Sequence, residues 1–159
     1  MQRLHIIAVG KLSEQWLREG CAHYQKRIAR YYKLETTELD ECRLPEQPSP
    51  AQIEQALKRE AAAFGRALPA RCVSVALCVE GSPTDTEQLA QLLVRAGEQG
   101  RAAAFLIGSS HGLSAQLKQG ADVCLSLSPM TFPHQLARLL LLEQLYRCGN
   151  MQTGGKYHK

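Results

Sequence analysis

Two stretches of this chain, CVSVALCV (Cys72 to Val79) and AAAFLIG (Ala102 to Gly108), run through consecutive apolar positions with almost no polar break. A strand with one wet face alternates apolar and polar residues, so unbroken runs of this length read as strands covered on both faces. Leu4 to Val9 and Val123 to Leu127 have the same character. Amphipathic segments with helix-start signals lie between them. Strands and helices therefore alternate, which predicts an α/β fold with a mainly parallel sheet flanked by helices.

The connecting signals fill in the order. A helix is expected from about Ser13 to Tyr31, then a strand from Leu34 to Leu39. The following RLPEQPSP holds three prolines and reads as an exposed loop. Ser49, Pro50 and Gln52 give a capping hydroxyl, a proline at the first helical position and a reciprocal cap, opening a helix to about Ala67. Thr84 and Glu87 suggest a second capping box before a helix that ends near Glu98, and Ser114 to Lys118 a short helix. At 159 residues, one domain with its own core is expected over residues 1–159. No run is apolar enough to span a bilayer, and the first residues lack a signal-peptide pattern, so the expected location is cytoplasmic. Six cysteines without a C-x-x-C pair or a histidine at ligand spacing give no support to a metal site.

Charge is uneven. Residues 1–33 carry seven Lys/Arg against two acids, with Arg18, Lys26, Arg27, Arg30 and Lys33 around one helix and Tyr24, Tyr31 and Tyr32 among them. Such a face suits either phosphate contact or plain solvation. In parallel sheets the ligand crevice lies beyond the carboxyl ends of the strands. Three loops qualify: VEGSP, GSSHG and SPMTFPH. In the second, Gly108 and Gly112 permit a close backbone approach or a positive φ, but the spacing is neither G-x-G-x-x-G nor a P-loop. In the third, two prolines limit freedom while Met130 and Phe132 offer apolar walls, which suits a flat heteroaromatic ligand. His134 and Arg138 are four apart on one helical face and are placed at the mouth of that crevice. The helix they begin is leucine on nearly every side, so it must be covered from more than one direction.

The segments FLIGSSHGLS, LSLSPMTFPHQLARLLLLEQLYR and the terminal KYHK, with IIAVGKL near the start, closely resemble the RlmH family. These are the bacterial SPOUT methyltransferases that modify N3 of a pseudouridine in large-subunit (23S) ribosomal RNA. The resemblance spans the chain. It implies a SPOUT fold with a deep trefoil knot in the C-terminal half, about residues 72–159, S-adenosyl-L-methionine as methyl donor with no metal, and a homodimer acting on the 70S ribosome. Carried over by position, donor contacts would be Leu77, Gly108, Leu127, Ser128, Pro129, Met130, Thr131 and Phe132, with Gly81 beside them. His134, Arg138, Tyr157 and His158 are the candidates for proton removal and base positioning. The leucine helix would be covered by its own core on one side and by the partner subunit on the other, with Leu139 and Leu142 as the positions to charge in testing that interface. Two positions depart from the pattern: Ser109 where many relatives have glycine, and Cys78 where some have an acid. A SPOUT enzyme acting on transfer RNA, or a non-catalytic nucleotide-binding module, are the alternatives.

Overall fold

The computed structural model describes residues 1–157. Its elements, in chain order, are β1 (Arg3–Val9), α1 (Gln15–Ile28), β2 (Lys33–Leu39), α2 (Pro50–Ala67), β3 (Cys72–Pro83), α3 (Thr86–Glu98), β4 (Ala102–Ile107), α4 (Ala115–Gly120), β5 (Val123–Ser126) and α5 (His134–Gln152). The sheet order is β2-β1-β4-β3-β5 and every pairing is parallel. Alternating side chains of the central strands fill two cores. Leu4, Ile6, Val75, Phe105 and Leu125 point to the layer that holds α1, α3 and α5, with Leu93, Leu141, Leu142 and Leu145 packed against them. Ile7, Val9, Ala76 and Leu106 point the other way, to Phe64 of α2 and to Leu113. That two-sided burial is why these strands carry no polar alternation.

The Ser49 cap is as expected, with its hydroxyl accepting from the Gln52 amide and the Gln52 side chain returning to the Ser49 amide. The second box is displaced by one residue: Asp85 and Gln88 form it. Thr84 instead donates its hydroxyl to the Ser82 carbonyl. β3 is also longer than its apolar run. It pairs with β5 at Leu77, then releases Cys78 to Gly81 as a bulge and pairs again at Ser82 opposite the same Leu125. A Cβ on Gly81 would lie within 2.8–2.9 Å of the Cys124 and Leu125 backbone, so only glycine lets the bulge close on β5.

α5 packs between α1 and α3, which explains its lack of a polar face. Gly20 meets Leu139, and a Cβ on Gly149 would collide with Tyr31 at 2.6 Å, so α1 and α5 approach closely. The α1 tyrosines belong to this contact: Tyr24 and Tyr31 lie against Tyr146, and Tyr32 is buried with its hydroxyl donating to Gln152. They serve the packing of α1 on α5. Lys26, Arg30 and Lys33 remain exposed on the other side.

Candidate functional site

Beyond the carboxyl ends of β4, β3 and β5 the chain encloses a crevice of about 740 Å³. Its apolar wall comes from Leu77, Ile107, Leu113, Leu127 and Phe132, and its polar edge from the loops 108–112 and 127–134. This is the size and character of a small-molecule site, an apolar body with a few convergent polar groups. Both loops are shaped by the chain itself. Gly112 has φ 77° and donates its amide to the Ser109 carbonyl at 2.9 Å, so the loop turns back on itself. A Cβ on Gly108 would sit 2.3 Å from the Gly112 carbonyl oxygen, which leaves glycine as the only residue that fits. In the other loop Ser126 donates its hydroxyl to the Ser128 carbonyl at 3.0 Å, and the Met130 amide donates to the Ser128 hydroxyl at 3.0 Å. Hydrogen bonds of this local kind pin a short loop at little further entropic cost.

Among the expected donor contacts, Leu77, Gly108, Leu127, Ser128, Met130, Thr131 and Phe132 line the crevice together, and so does His134. Met130 is 71 % exposed and overhangs the opening. Pro129 is exposed and does not line it, and Gly81 serves the β3 bulge instead. Arg138 is the clearest correction. Only 2 % exposed, it turns into the body of the chain, where one terminal nitrogen donates to Glu38 at 2.6 Å and the other to the Gly10 carbonyl at 2.9 Å. Helical spacing put it beside His134, but its side chain reaches the other way. It ties the start of α5 to the end of β2.

Tyr157 lies far from this crevice, at the other end of α5. Its amide donates to Asn150 Oδ1 at 3.0 Å, and its ring stands edge-on to Tyr146 at 4.8 Å with Arg27 and Arg147 over its faces. His158 lies outside the described residues. Leu142 is wholly within the chain's own core, whereas Leu139 packs on Gly20 and stays partly exposed. At 100° per residue the outward side of α5 carries Leu136, Leu140, Glu143 and Arg147, all incompletely buried.

The electrostatics of the crevice are mild. Lys118 pairs with Glu80 at its edge, holding the Glu80 carboxyl below its usual range. Burial, with Glu80 adding to it, pushes the Cys78 thiol up to about 11. Cys78 therefore stays a neutral thiol at physiological pH and is no competing nucleophile. Among the described residues, no group of His, Cys, Asp or Glu is arranged to hold a metal ion, and no helix is long and apolar enough to cross a membrane. Sequence reasoning passed over Glu60, which is buried and reaches Ser109 from α2; on an otherwise charged helix nothing marked it out.

A family model described as "Predicted SPOUT methyltransferase" matches residues 2–158. The chain belongs to the SPOUT methyltransferase family. Two relatives named "Ribosomal RNA large subunit methyltransferase H" support the same placement within this SPOUT family. That of Acetivibrio thermocellus is 44 % identical over 158 residues, covering 99 % of each chain, and that of Moorella thermoacetica is 42 % identical over 160 residues, covering 100 % of each. A crystal structure of a probable methyltransferase from Bordetella pertussis shares the fold at a TM-score of 0.60 and 18 % identity, over 92 % of this chain and 96 % of that one. The crevice is thus found in a SPOUT methyltransferase, at the strand ends formed by its C-terminal half.

Proposed function

We propose that this SPOUT methyltransferase methylates N3 of a pseudouridine in large-subunit ribosomal RNA, with S-adenosyl-L-methionine as donor, as a homodimer on the assembled ribosome. The observation that carries the reading is the preshaped crevice between loops 108–112 and 127–134, in a chain 44 % identical to a large-subunit ribosomal RNA methyltransferase. The residues present fit the donor: a glycine-only approach at Gly108, apolar walls for a flat ring, and backbone groups of Leu127 to Phe132 at the rim.

When bound, the donor supplies an already activated methyl group on a sulfonium. What the chain must add is alignment of the base and help with its N3 proton. Positioning of reactants is worth at most about 7–11 kcal/mol. His134 lines the crevice and is the candidate for that task within the same chain. Tyr157 cannot join it from its docked place, because α5 rises about 24 Å between His134 and Asn150. A tail supplied by a second chain resolves the separation, and the half-buried Leu136 and Leu140 offer that chain an apolar seat. Arg27 and Arg147 lie over the Tyr157 ring and Lys156 is its exposed neighbour, a gathering of positive charge that suits contact with RNA phosphates.

The test is incubation of the protein and labelled donor with ribosomes from a strain lacking the modification. Label on a pseudouridine of large-subunit RNA is expected; label on transfer RNA alone, or none, refutes the reading. Leu140→Asp tests the dimer. A monomer with full transfer activity would sink it.

A further inference from the structure

The loop from Gly108 to Gly112 has open space on both sides. One side is the crevice; the other is a second cavity of about 630 Å³, lined by Cys42, Pro45, Ile53, Leu57 and Glu60, and Ser109, Ser110 and His111 line both. A partition with a void on either side lacks the packing contacts that fix an ordinary core segment. Its position must come from specific bonds. One is internal, the Gly112 amide to the Ser109 carbonyl. The other leaves the loop: the buried Ser109 hydroxyl donates to Glu60 Oε1 at 3.2 Å. Glu60 is itself 5 % exposed, and its second oxygen accepts from the Cys42 amide at 3.4 Å. One carboxylate thus joins α2, the segment after β2, and the crevice loop.

No lysine or arginine pairs with Glu60 among the described residues. Burying a carboxylate against neutral donors alone costs the fold, and an apolar residue on α2 would fill the same place more cheaply. The expense has a use if the loop it holds must keep one shape.

We infer that Glu60 is a positioning residue for the methyl donor, holding loop 108–112 in its binding shape through the Ser109 hydroxyl. This rests on the reading of the crevice as the donor site.

Calorimetric titration with S-adenosylhomocysteine tests it, using the wild-type protein, Glu60→Ala, Ser109→Ala and the double variant. Each single substitution is expected to weaken binding about tenfold, or about 1.4 kcal/mol, and the double variant to lose no more than the single ones, because both remove one bond. In methyl transfer the donor KM rises in parallel, while kcat at saturating donor stays within about twofold of wild type. A purely structural role would lower the melting temperature and the folded fraction but not shift the donor KM. Binding unchanged in Ser109→Ala, a conservative loop variant that does not disturb α2, overturns the inference even if Glu60→Ala does not fold. So do additive losses in the double variant. If the wild-type protein itself fails to bind S-adenosylhomocysteine, the donor-site reading falls and this inference with it.

Discussion

Gly108→Ala is the sharpest perturbation of the crevice. The added Cβ would lie 2.3 Å from the Gly112 carbonyl oxygen and 2.5 Å from its carbon. Ordinary contact between such atoms begins near 3.5 Å, so the loop must open by about 1 Å. Neither atom is the end of a flexible side chain, and the strain falls on backbone. Overpacking of this kind costs about 1–3 kcal/mol. Because the loop has a cavity on each side, it can move without dragging the sheet with it, and the cost appears as a reshaped crevice more than as a loss of fold. Converted to affinity, the loss is about fivefold to over a hundredfold. The assay is calorimetric titration with S-adenosylhomocysteine, alongside a thermal melt. Gly65→Ala is the control, since a Cβ there meets nothing within 4 Å and the residue lies in the last turn of α2 without a positive φ, where alanine is tolerated. Wild-type affinity in Gly108→Ala would refute the reasoning.

Further outcomes follow from particular contacts. Glu38→Ala strands the buried Arg138 guanidinium, whose Nε already lacks a partner, and is expected to cost about 3 kcal/mol by denaturant titration, while Arg138→Met costs less. Tyr157→Ala is expected to cut methyl transfer about tenfold or more while donor affinity stays at the wild-type value, separating tail from crevice. Burial raises the Glu60 carboxyl above its ordinary 4.5, with Glu41 adding and the Cys42 amide, the Ser109 hydroxyl and His111 opposing. The folded chain thus holds that proton more tightly than the unfolded chain, and the residue costs stability as pH rises through its folded value. Relative to wild type, Glu60→Gln is therefore expected to gain stability as pH rises from below 4 to 7, whatever constant offset the amide brings; denaturant titrations at the two pH values check the sign.

The strands were legible because burial on both faces erases polar alternation, and Cys72 to Val79 and Ala102 to Ile107 fell where expected. The Ser49 cap was equally plain. Near Thr84 two overlapping pairs satisfy one capping pattern, and local sequence does not say that Asp85 takes the role. The crevice loops were readable from their glycines, prolines and place after strands. Arg138 was not, since helical spacing assigns a face but not the reach of a long side chain, and its partner Glu38 is 100 residues away. The α1 tyrosines were ambiguous for a related reason: interleaving with basic residues does not say that Tyr24 and Tyr31 pack on the Tyr146 ring, more than a hundred residues away. Glu60 gave no signal at all, because its meaning lies in the void on the far side of a loop from another part of the chain.

A crystal structure of the protein with S-adenosylhomocysteine tests the central claim most directly. The account predicts the ligand between loops 108–112 and 127–134, against Leu77, Leu127 and Phe132; a ligand seated in the cavity beside Cys42 and Glu60, or on the outer face of α5, would contradict it.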